Sequence, residues 1–230
     1  MPEIKLVIFD CDGVLVDSEI IAAKIEAETY RDLGYEIENE EFAIRFAGSS
    51  GADIRAEIEK ELNFSFPDNV ISGISGKIDE AVRNEVKIIP GADEMLDMFD
   101  QPRCICSNSP SNRLKDMLTR VKLYDRFRPY IFSAKDFDPP ANKPKPDVFL
   151  KALKEFDVKP EEAIVVEDSS HGVTAARAAG VRVIGFTGGS HTWHGHADIL
   201  TESGAETVIK SFRHLPTLIE AFGDWGGEFS

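Results

Sequence analysis

Residues 4–18, IKLVIFDCDGVLVDS, are the stretch that decides the fold of this chain. Residues 4–9 form a short apolar run, which is typical of a strand buried on both faces of a parallel sheet. Asp10 and Asp12 follow where this strand is predicted to end, and Gly13 permits a sharp backbone turn after them. Because neighbouring carboxylates repel each other and raise at least one pKa, a cation must offset their charge. The stretch therefore predicts a magnesium-dependent site with a nucleophile and a group that transfers protons.

Four further apolar runs have the same character as the first: residues 103–107, 130–133, 163–167 and 181–185. Helical patterns accompany them, with apolar residues sharing one face in 114–121 and in 148–156, and small residues recurring in 175–179. Strands that alternate with helices predict an α/β fold with a Rossmann-like parallel sheet. Since ligands bind at the carboxyl ends of such strands, the polar residues that follow each run are the candidate site.

Residues 18–86 differ from the rest of the chain. They carry amphipathic helical patterns and no convincing central strand. We interpret this segment as a helical cap domain inserted into an α/β core domain of residues 1–17 and 87–230. The chain returns to the core at Ile89-Pro90-Gly91, after which a helix is predicted over residues 92–99.

The composition limits the classes of protein. The 230 residues, 42% of them hydrophobic, suit a globular protein with one large domain or two unequal ones. The net charge of −15 and the lack of a Lys/Arg tract disfavour a nucleic-acid partner. The first strand begins at once, which leaves no room for a signal peptide, and no apolar stretch could span a bilayer. We expect a cytoplasmic monomer without membrane partners, whose three cysteines are buried free thiols.

Three polar clusters follow the later strands. Ser107 and Asn108 could hold a phosphoryl oxygen beside a helix start, although Ser-Asn-Ser-Pro is also an ordinary turn. The prolines around Lys143 could aim this lysine inward, and a helix start with solvated lysines explains the sequence equally well. Glu167 and Asp168 end a buried strand side by side and need a cation, for which oxygen ligands indicate magnesium rather than zinc.

Together the four clusters resemble the motifs of the haloacid dehalogenase superfamily, in its phosphatase and β-phosphoglucomutase-like branch with a helical cap. The matching residues are Asp10-x-Asp12-Gly13-x-Leu15-x-Asp17-Ser18, Ser107-Asn108, Lys143-Pro144-x-Pro146-Asp147 and Glu167-Asp168-Ser169-x-x-Gly172. The resemblance covers essentially the whole chain. Within the branch the sequence looks most similar to bacterial 6-phosphogluconate-type sugar phosphatases.

The resemblance implies the chemistry of a phosphatase that acts on a small phosphorylated metabolite, a sugar or sugar-acid phosphate. Asp10 is then the nucleophile that forms an aspartyl-phosphate. Asp12 protonates the leaving alcohol and later activates water. The phosphoryl oxygens are expected to bind Ser107, the Asn108 backbone and Lys143.

The same resemblance implies Mg²⁺ as the cofactor. Its expected ligands are the Asp10 carboxylate, the Asp12 backbone carbonyl and Asp168, with Glu167 as an inner-shell or outer-shell ligand. Phosphoryl transfer depends mainly on positioning and positive charge, which such a site provides.

Two loops are further candidates for contact with the substrate. The resemblance implies that the glycine-flanked loop of the cap, with Ser49 and Ser50, faces the active site and helps select the substrate, and the nearby Arg55 could supply a cation there. The second loop contains His191, His194 and His196. A solvated loop is favoured there over a substrate contact or a metal site, because a zinc site would need more ligands.

Three other functions compete with the phosphatase. Phosphomutases of this branch carry a histidine on the first cap helix and an arginine after the cap glycine loop, where this chain has Ala22 and Gly51. Dehalogenases do not need the second acid, because a halide leaves without a proton, so Asp12 argues against them. Receiver domains also combine acids, a hydroxyl and a lysine, but they are about half as long and lack the helical insertion.

Overall fold

The computed structural model describes residues 3–67 and 69–224, and within these residues six strands form one parallel sheet in the order β3-β2-β1-β4-β5-β6. The strands are β1 (Leu6–Phe9), β2 (Arg103–Ser107), β3 (Ile131–Ser133), β4 (Ala163–Glu167), β5 (Arg182–Phe186) and β6 (Thr207–Ile209). The predicted α/β fold with a Rossmann-like parallel sheet is confirmed. The strand order reverses between β1 and β4, so a crevice opens at the carboxyl ends of these two strands.

Helices cover both faces of the sheet. They are α1 (Glu19–Asp32), α2 (Asn39–Arg45), α3 (Gly51–Leu62), α4 (Asn69–Glu85), α5 (Ala92–Met95), α6 (Ser111–Arg120), α7 (Tyr124–Phe127), α8 (Asp147–Phe156), α9 (Ser170–Ala178), α10 (His196–Glu202) and α11 (Leu215–Asp224). Short 3₁₀ helices lie at residues 134–136, 160–162 and 212–214.

The central strand β1 is buried on both faces, as its apolar run predicts. Successive side chains of a strand point to opposite faces. Val7 and Phe9 accordingly belong to the apolar core on one side, where the Phe9 ring meets Phe127 edge-on at 6.0 Å. Leu6 and Ile8 belong to the apolar core on the other side. This two-sided burial fixes the end of β1 and hence the position of the residues that follow it.

Five helices lie between β1 and β2 in the chain; α1 to α4 belong to residues 18–86, whose described part contains no strand. The two connections of this helical segment run side by side. The Asp17 amide donates to the Lys87 carbonyl at 2.9 Å, and the Ile89 amide donates to the Leu15 carbonyl at 3.0 Å. The helical segment therefore leaves and rejoins the core at one place, while the domain bounds themselves stay a prediction.

The three cysteines are buried free thiols, as predicted. Over the part of the chain that the structure describes, every helix is too short or too polar to cross a membrane.

Candidate active site

Lys143 lies at the centre of the carboxyl edge of the sheet and is almost fully buried. Its Nζ donates to Asp10 Oδ1 at 2.6 Å, to Glu167 Oε1 at 2.5 Å and to the Cys106 carbonyl at 2.8 Å. Burial alone would lower the pKa of Lys143, but attraction by the two carboxylates outweighs burial and raises it. Lys143 therefore keeps its charge between the ends of β1, β2 and β4, and the interpretation as a solvated lysine is wrong.

Asp10, Glu167 and Asp168 each place one carboxylate oxygen so that the three atoms lie within 4.8 Å of one another. All three residues are buried. Burial raises the pKa of Asp10 and of Glu167; Lys143 opposes this change, and the neighbouring carboxylates add to it. A single lysine leaves this cluster with excess negative charge, and its all-oxygen donor set fits Mg²⁺.

Glu167 is held in a fixed orientation by the start of α9. Its Oε2 accepts hydrogen bonds from the Asp168 amide at 3.1 Å, the Ser169 amide at 3.1 Å and the Ser169 hydroxyl at 3.0 Å. The Ser169 Oγ also accepts from the Gly172 amide at 3.0 Å and so caps α9. The same residues that begin the helix thus position the acid.

The Asp12 side chain is not one of the three clustered carboxylates, and each of its oxygens accepts a hydrogen bond. Ser18 Oγ donates to Asp12 Oδ1 at 2.7 Å, and Ser107 Oγ donates to Asp12 Oδ2 at 3.0 Å. Gly13 follows with φ +72°, and a Cβ on it would lie 2.0 Å from Asp168 Oδ2. Glycine is therefore required here both for the backbone turn and for the close approach to Asp168.

The end of β2 contributes Ser107 and Asn108. The Ser107 hydroxyl accepts from the Ser109 amide at 2.9 Å. The Asn108 side chain accepts from the Lys143 amide at 2.8 Å, which ties the lysine loop to the end of β2. Both residues lie at the site as the sequence predicts, and the Asn108 side chain has a positioning contact that sequence analysis missed.

A small cavity of about 40 Å³ lies beside Asp12, between the helical segment and the core. Its lining includes Glu19, Ala22, Ile78, Val82 and Arg113. Burial, together with the carboxylates of Asp12 and Asp168, raises the pKa of Glu19 to about 8. The cavity thus combines acidic, apolar and cationic groups next to the predicted proton donor.

The predicted substrate residues of the helical segment do not line this cavity. Ser50 caps α3, where its Oγ accepts from the Asp53 amide at 3.2 Å. Arg55 donates to Glu59 Oε1 at 2.7 Å and to the Phe66 carbonyl, both within the helical segment. The loop with Ser49 faces the core, because a Cβ on Gly48 would lie 3.2 Å from His171 Nδ1. Contact of Ser49, Ser50 and Arg55 with a substrate stays a prediction.

The interpretation of residues 191–196 as a solvated loop is wrong for two of its three histidines. His191 is largely buried, and its Nε2 lies 2.9 Å from Asp168 Oδ2. Burial lowers the pKa of His191, but the Asp168 hydrogen bond and nearby acids outweigh burial and raise it. His196 is buried with Nε2 2.7 Å from the Asp168 carbonyl, whereas His194 is exposed. These contacts cross from the loop after β5 to the end of β4, and no local sequence signal marks them.

A carboxylate cluster at the switch point of a parallel sheet is typical of an α/β enzyme. The chain belongs to the haloacid dehalogenase-like hydrolase family, whose sequence profile matches residues 7–186. The 6-phosphogluconate phosphatase of Escherichia coli (strain K12) is 28% identical over 192 residues, which cover 83% of this chain and 86% of the relative. The predicted membership of this superfamily is confirmed.

Two solved structures share the whole architecture. The crystal structure of a conserved haloacid dehalogenase-like protein of unknown function from Agrobacterium tumefaciens strain C58 has a TM-score of 0.91 at 48% identity, over 96% of this chain and 100% of that one. A HAD family hydrolase from Deinococcus radiodurans R1, with bound phosphate and sodium, has a TM-score of 0.80 at 28% identity, over 97% and 98%.

Proposed function

We propose that this chain is a Mg²⁺-dependent phosphatase that hydrolyses a small phosphorylated metabolite, a sugar or sugar-acid phosphate, through an aspartyl-phosphate on Asp10. The observation that carries the proposal is the arrangement around Asp10. This carboxylate meets the buried Lys143 at 2.6 Å and lies beside Glu167 and Asp168. The E. coli relative is a sugar-acid phosphatase by name, and the Deinococcus relative binds phosphate.

The first half-reaction transfers the phosphoryl group to the enzyme. A carboxylate oxygen of Asp10 attacks phosphorus and forms the P–O bond of the aspartyl-phosphate. The ester P–O bond breaks, and Asp12 donates a proton to the leaving alkoxide. Ser18 and Ser107, which hold both oxygens of Asp12, orient it for this transfer.

The second half-reaction releases inorganic phosphate. Asp12, now a carboxylate, takes a proton from water as the water oxygen attacks phosphorus, and the bond to Asp10 breaks. Lys143 and the Ser107 hydroxyl are proposed to turn donors from the carboxylates that they contact in this structure toward the phosphoryl oxygens, which carry the charge in the transition state. Mg²⁺ held by Asp10, Glu167 and Asp168 would supply further positive charge to these oxygens.

The leaving alcohol is proposed to occupy the cavity beside Asp12. This cavity of about 40 Å³ is far below the ~300–1,000 Å³ of a typical small-molecule pocket, so the structure corresponds to a closed state. Substrate access then requires the segment 18–86 to move as a cap away from the strand ends. Closure would exclude bulk water and complete the site.

A phosphosugar mutase of the β-phosphoglucomutase type remains the alternative. Ala22 lines the cavity, and by its position in the first cap helix it stands where phosphomutases of this branch carry a histidine. A methyl group cannot transfer a proton, so the residue present favours hydrolysis.

The test is a hydrolysis assay on p-nitrophenyl phosphate and on a panel of sugar and sugar-acid phosphates. We expect activity with Mg²⁺, its loss in EDTA and its return when Mg²⁺ is restored. Asp10→Asn should abolish turnover. It should also abolish the phosphoenzyme, which mass spectrometry of the acid-quenched parent detects as an added phosphoryl group. Asp12→Asn should slow turnover by about 10²–10⁴-fold. Asp125→Asn, at an exposed acid with 80% of its side chain accessible, is the matched control and should behave as the parent.

Two results would contradict the proposal. Near-normal turnover by Asp10→Asn would exclude the aspartyl-phosphate route. Conversion of a sugar phosphate into its isomer without release of inorganic phosphate would support the mutase instead.

A further inference from the structure

The loop between β5 and α10 is fastened to the first motif of the chain. The Ser190 amide donates to Asp17 Oδ1 at 2.9 Å, and the Ser190 hydroxyl donates to Asp17 Oδ2. This anchor places His191 directly against Asp168. The proposed reaction gives the loop no role, although two of its side chains reach the carboxylate cluster.

The two buried imidazoles of the loop hold Asp168 from both ends. His191 contacts the side-chain carboxylate at 2.9 Å, and His196 contacts the backbone carbonyl at 2.7 Å. The Trp193 ring stacks on His196 with centroids 4.1 Å apart and planes 5° from parallel. Gly13 closes the other side of His191, because a Cβ there would lie 2.8 Å from His191 Cε1. Neither imidazole has room to rotate freely.

We propose that His191 is a positioning residue that orients the Asp168 carboxylate for binding Mg²⁺. The inference rests on the magnesium site of the proposed function. Its basis is the contact from His191 Nε2 to Asp168 Oδ2, which restricts the rotation of a carboxylate that has one oxygen within 4.8 Å of those of Asp10 and Glu167. Within the described residues His191 Nδ1 has no hydrogen-bond partner, so the one hydrogen bond of the ring is the bond to Asp168.

A direct contact of His191 with the substrate is a weaker explanation. Only 9% of its side chain is exposed, and it does not line the cavity beside Asp12. Hydrogen-bond partners of metal ligands hold those ligands in place, and their removal typically lowers metal affinity about 10–100-fold. His191 has the geometry of such a partner.

The experiment measures the Kd of Mg²⁺ by calorimetry on the full chain, without any substrate. His191→Leu removes the N–H donor at similar volume, and His191→Gln keeps a donor that reaches Asp168. We expect the Leu variant to bind Mg²⁺ about 10–100-fold more weakly and the Gln variant to stay within about threefold of the parent. His194→Ala, at the exposed histidine of the same loop, is the control and should bind as the parent does.

His191→Asn tests the inference if the Leu variant does not fold. Asn carries the same amide as Gln, but its side chain is one carbon shorter and should not reach Asp168. The Asn variant should bind Mg²⁺ as weakly as Leu is expected to. Parent-like affinity in the Leu or Asn variant would overturn the inference. Equal losses in Gln and Asn, with equally lowered melting temperatures, would also overturn it by showing a packing role. A parent chain that binds no Mg²⁺ would instead refute the magnesium site of the proposed function.

Discussion

At the scale of single residues, α1 presents two glutamates toward the interior, Glu19 and Glu26. They lie two helical turns apart and therefore on one face of the helix. Burial raises the pKa of Glu26 to about 7, and the charge of Arg113 opposes this only in part. Such groups make the free energy of unfolding depend on pH, because the folded chain holds a proton that the unfolded chain releases.

We predict that Glu26→Gln stabilises the protein at alkaline pH. An acid whose pKa is raised on folding binds more protons in the folded state, so the free energy of unfolding falls as pH rises from about 4.5 to about 7. The Gln variant escapes this loss and should exceed the parent by on the order of 1–3 kcal/mol at pH 8. Urea unfolding at pH 5 and pH 8 measures the difference, which should be much smaller at pH 5.

Glu28→Gln is the control for this prediction, since Glu28 is exposed on the same helix. It should leave the pH dependence of stability unchanged. A Glu26→Gln variant that follows the parent at both pH values would show that the Glu26 carboxylate is solvated in the folded chain.

The residues of the candidate site could be found from sequence where each follows a strand. Asp10, Ser107 and Glu167 meet because parallel strands end at one edge of the sheet. Lys143 is farther from any strand, and the sequence left its direction open. His191 was named as a candidate, but its contact with Asp168 was missed, because this contact depends on how the loop after β5 folds back over β4, which no periodicity encodes.

At the scale of elements, the first turn of α9 packs directly on Glu167. A Cβ on Gly172 would lie 1.9 Å from Glu167 Cδ and from Oε1. No flexible side chain separates the helix from this acid, so the helix start and the acid must shift together. This close approach explains why a glycine stands in the first turn of a helix, where it otherwise weakens the helix.

Gly172→Ala is therefore expected to displace Glu167 and to lower activity at least tenfold. Its overpacking should cost about 1–3 kcal/mol of stability. Gly76→Ala in α4 is the matched control, because a Cβ there meets nothing within 4 Å. That change should stabilise the helix by up to about 1 kcal/mol without loss of activity. Thermal unfolding and steady-state kinetics on both variants test the pair, and a fully active Gly172→Ala variant would show that Glu167 tolerates displacement.

The two serines of the cap loop should behave differently. Ser50 caps α3, so Ser50→Ala is expected to cost about 1 kcal/mol of stability, and an equal effect on all substrates would assign Ser50 the capping role alone. Ser49→Ala should change the relative kcat/KM among sugar phosphates, with little effect on p-nitrophenyl phosphate. The same proportional change for every substrate in the Ser49 variant would exclude a specificity role for this residue.

Strands and helices that are fully buried could be predicted from the sequence, whereas short elements at the edge of the fold could not. β4 has the predicted bounds Ala163–Glu167, because all five residues are buried and apolar or site-forming. β6 (Thr207–Ile209) was missed, since it has three residues at the sheet edge and only Ile209 is buried. The helix predicted over 92–99 ends at Met95, where turn-type hydrogen bonds such as Met98 N to Met95 O replace the helical ones.

At the scale of the whole molecule, two ion pairs join α4 of the helical segment to α6 of the core: Arg83 with Asp116, and Arg113 with Asp79, of which the second lies beside the cavity. Arg113 of α6 donates through Nε to Asp79 of α4 at 2.6 Å and through a second nitrogen to Ser75 at 3.2 Å. Ile78 and Val82 of α4 are buried in the same region. If the helical segment moves as the proposed cap, these contacts form only in the closed state and should therefore favour it.

Asp79→Ala should shift the protein toward the open state, and it leaves Arg113 of the cavity lining without this ion-pair partner. A partly exposed ion pair contributes about 0.5–1 kcal/mol, so the closed population should fall about two- to fivefold relative to the open one. We expect KM for sugar phosphates to rise by a similar factor, with kcat on p-nitrophenyl phosphate nearly unchanged. Kinetics together with the radius of gyration from small-angle scattering check this. Unchanged values of both would mean that the remaining contacts, the Arg83–Asp116 ion pair and the apolar residues, hold the closed state.

The side-by-side connections at Leu15 to Asp17 and Lys87 to Ile89 have a consequence for how such proteins diversify. Both ends of the helical segment are hydrogen-bonded to each other. The insertion is therefore joined to the sheet through one short pair of connecting chains, called here the stalk. A segment of different length or sequence can be grafted onto that stalk without changing the register of β1 with β2 or β4. The core residues that bind the phosphoryl group can then stay the same in evolution while the segment that faces the rest of the substrate changes.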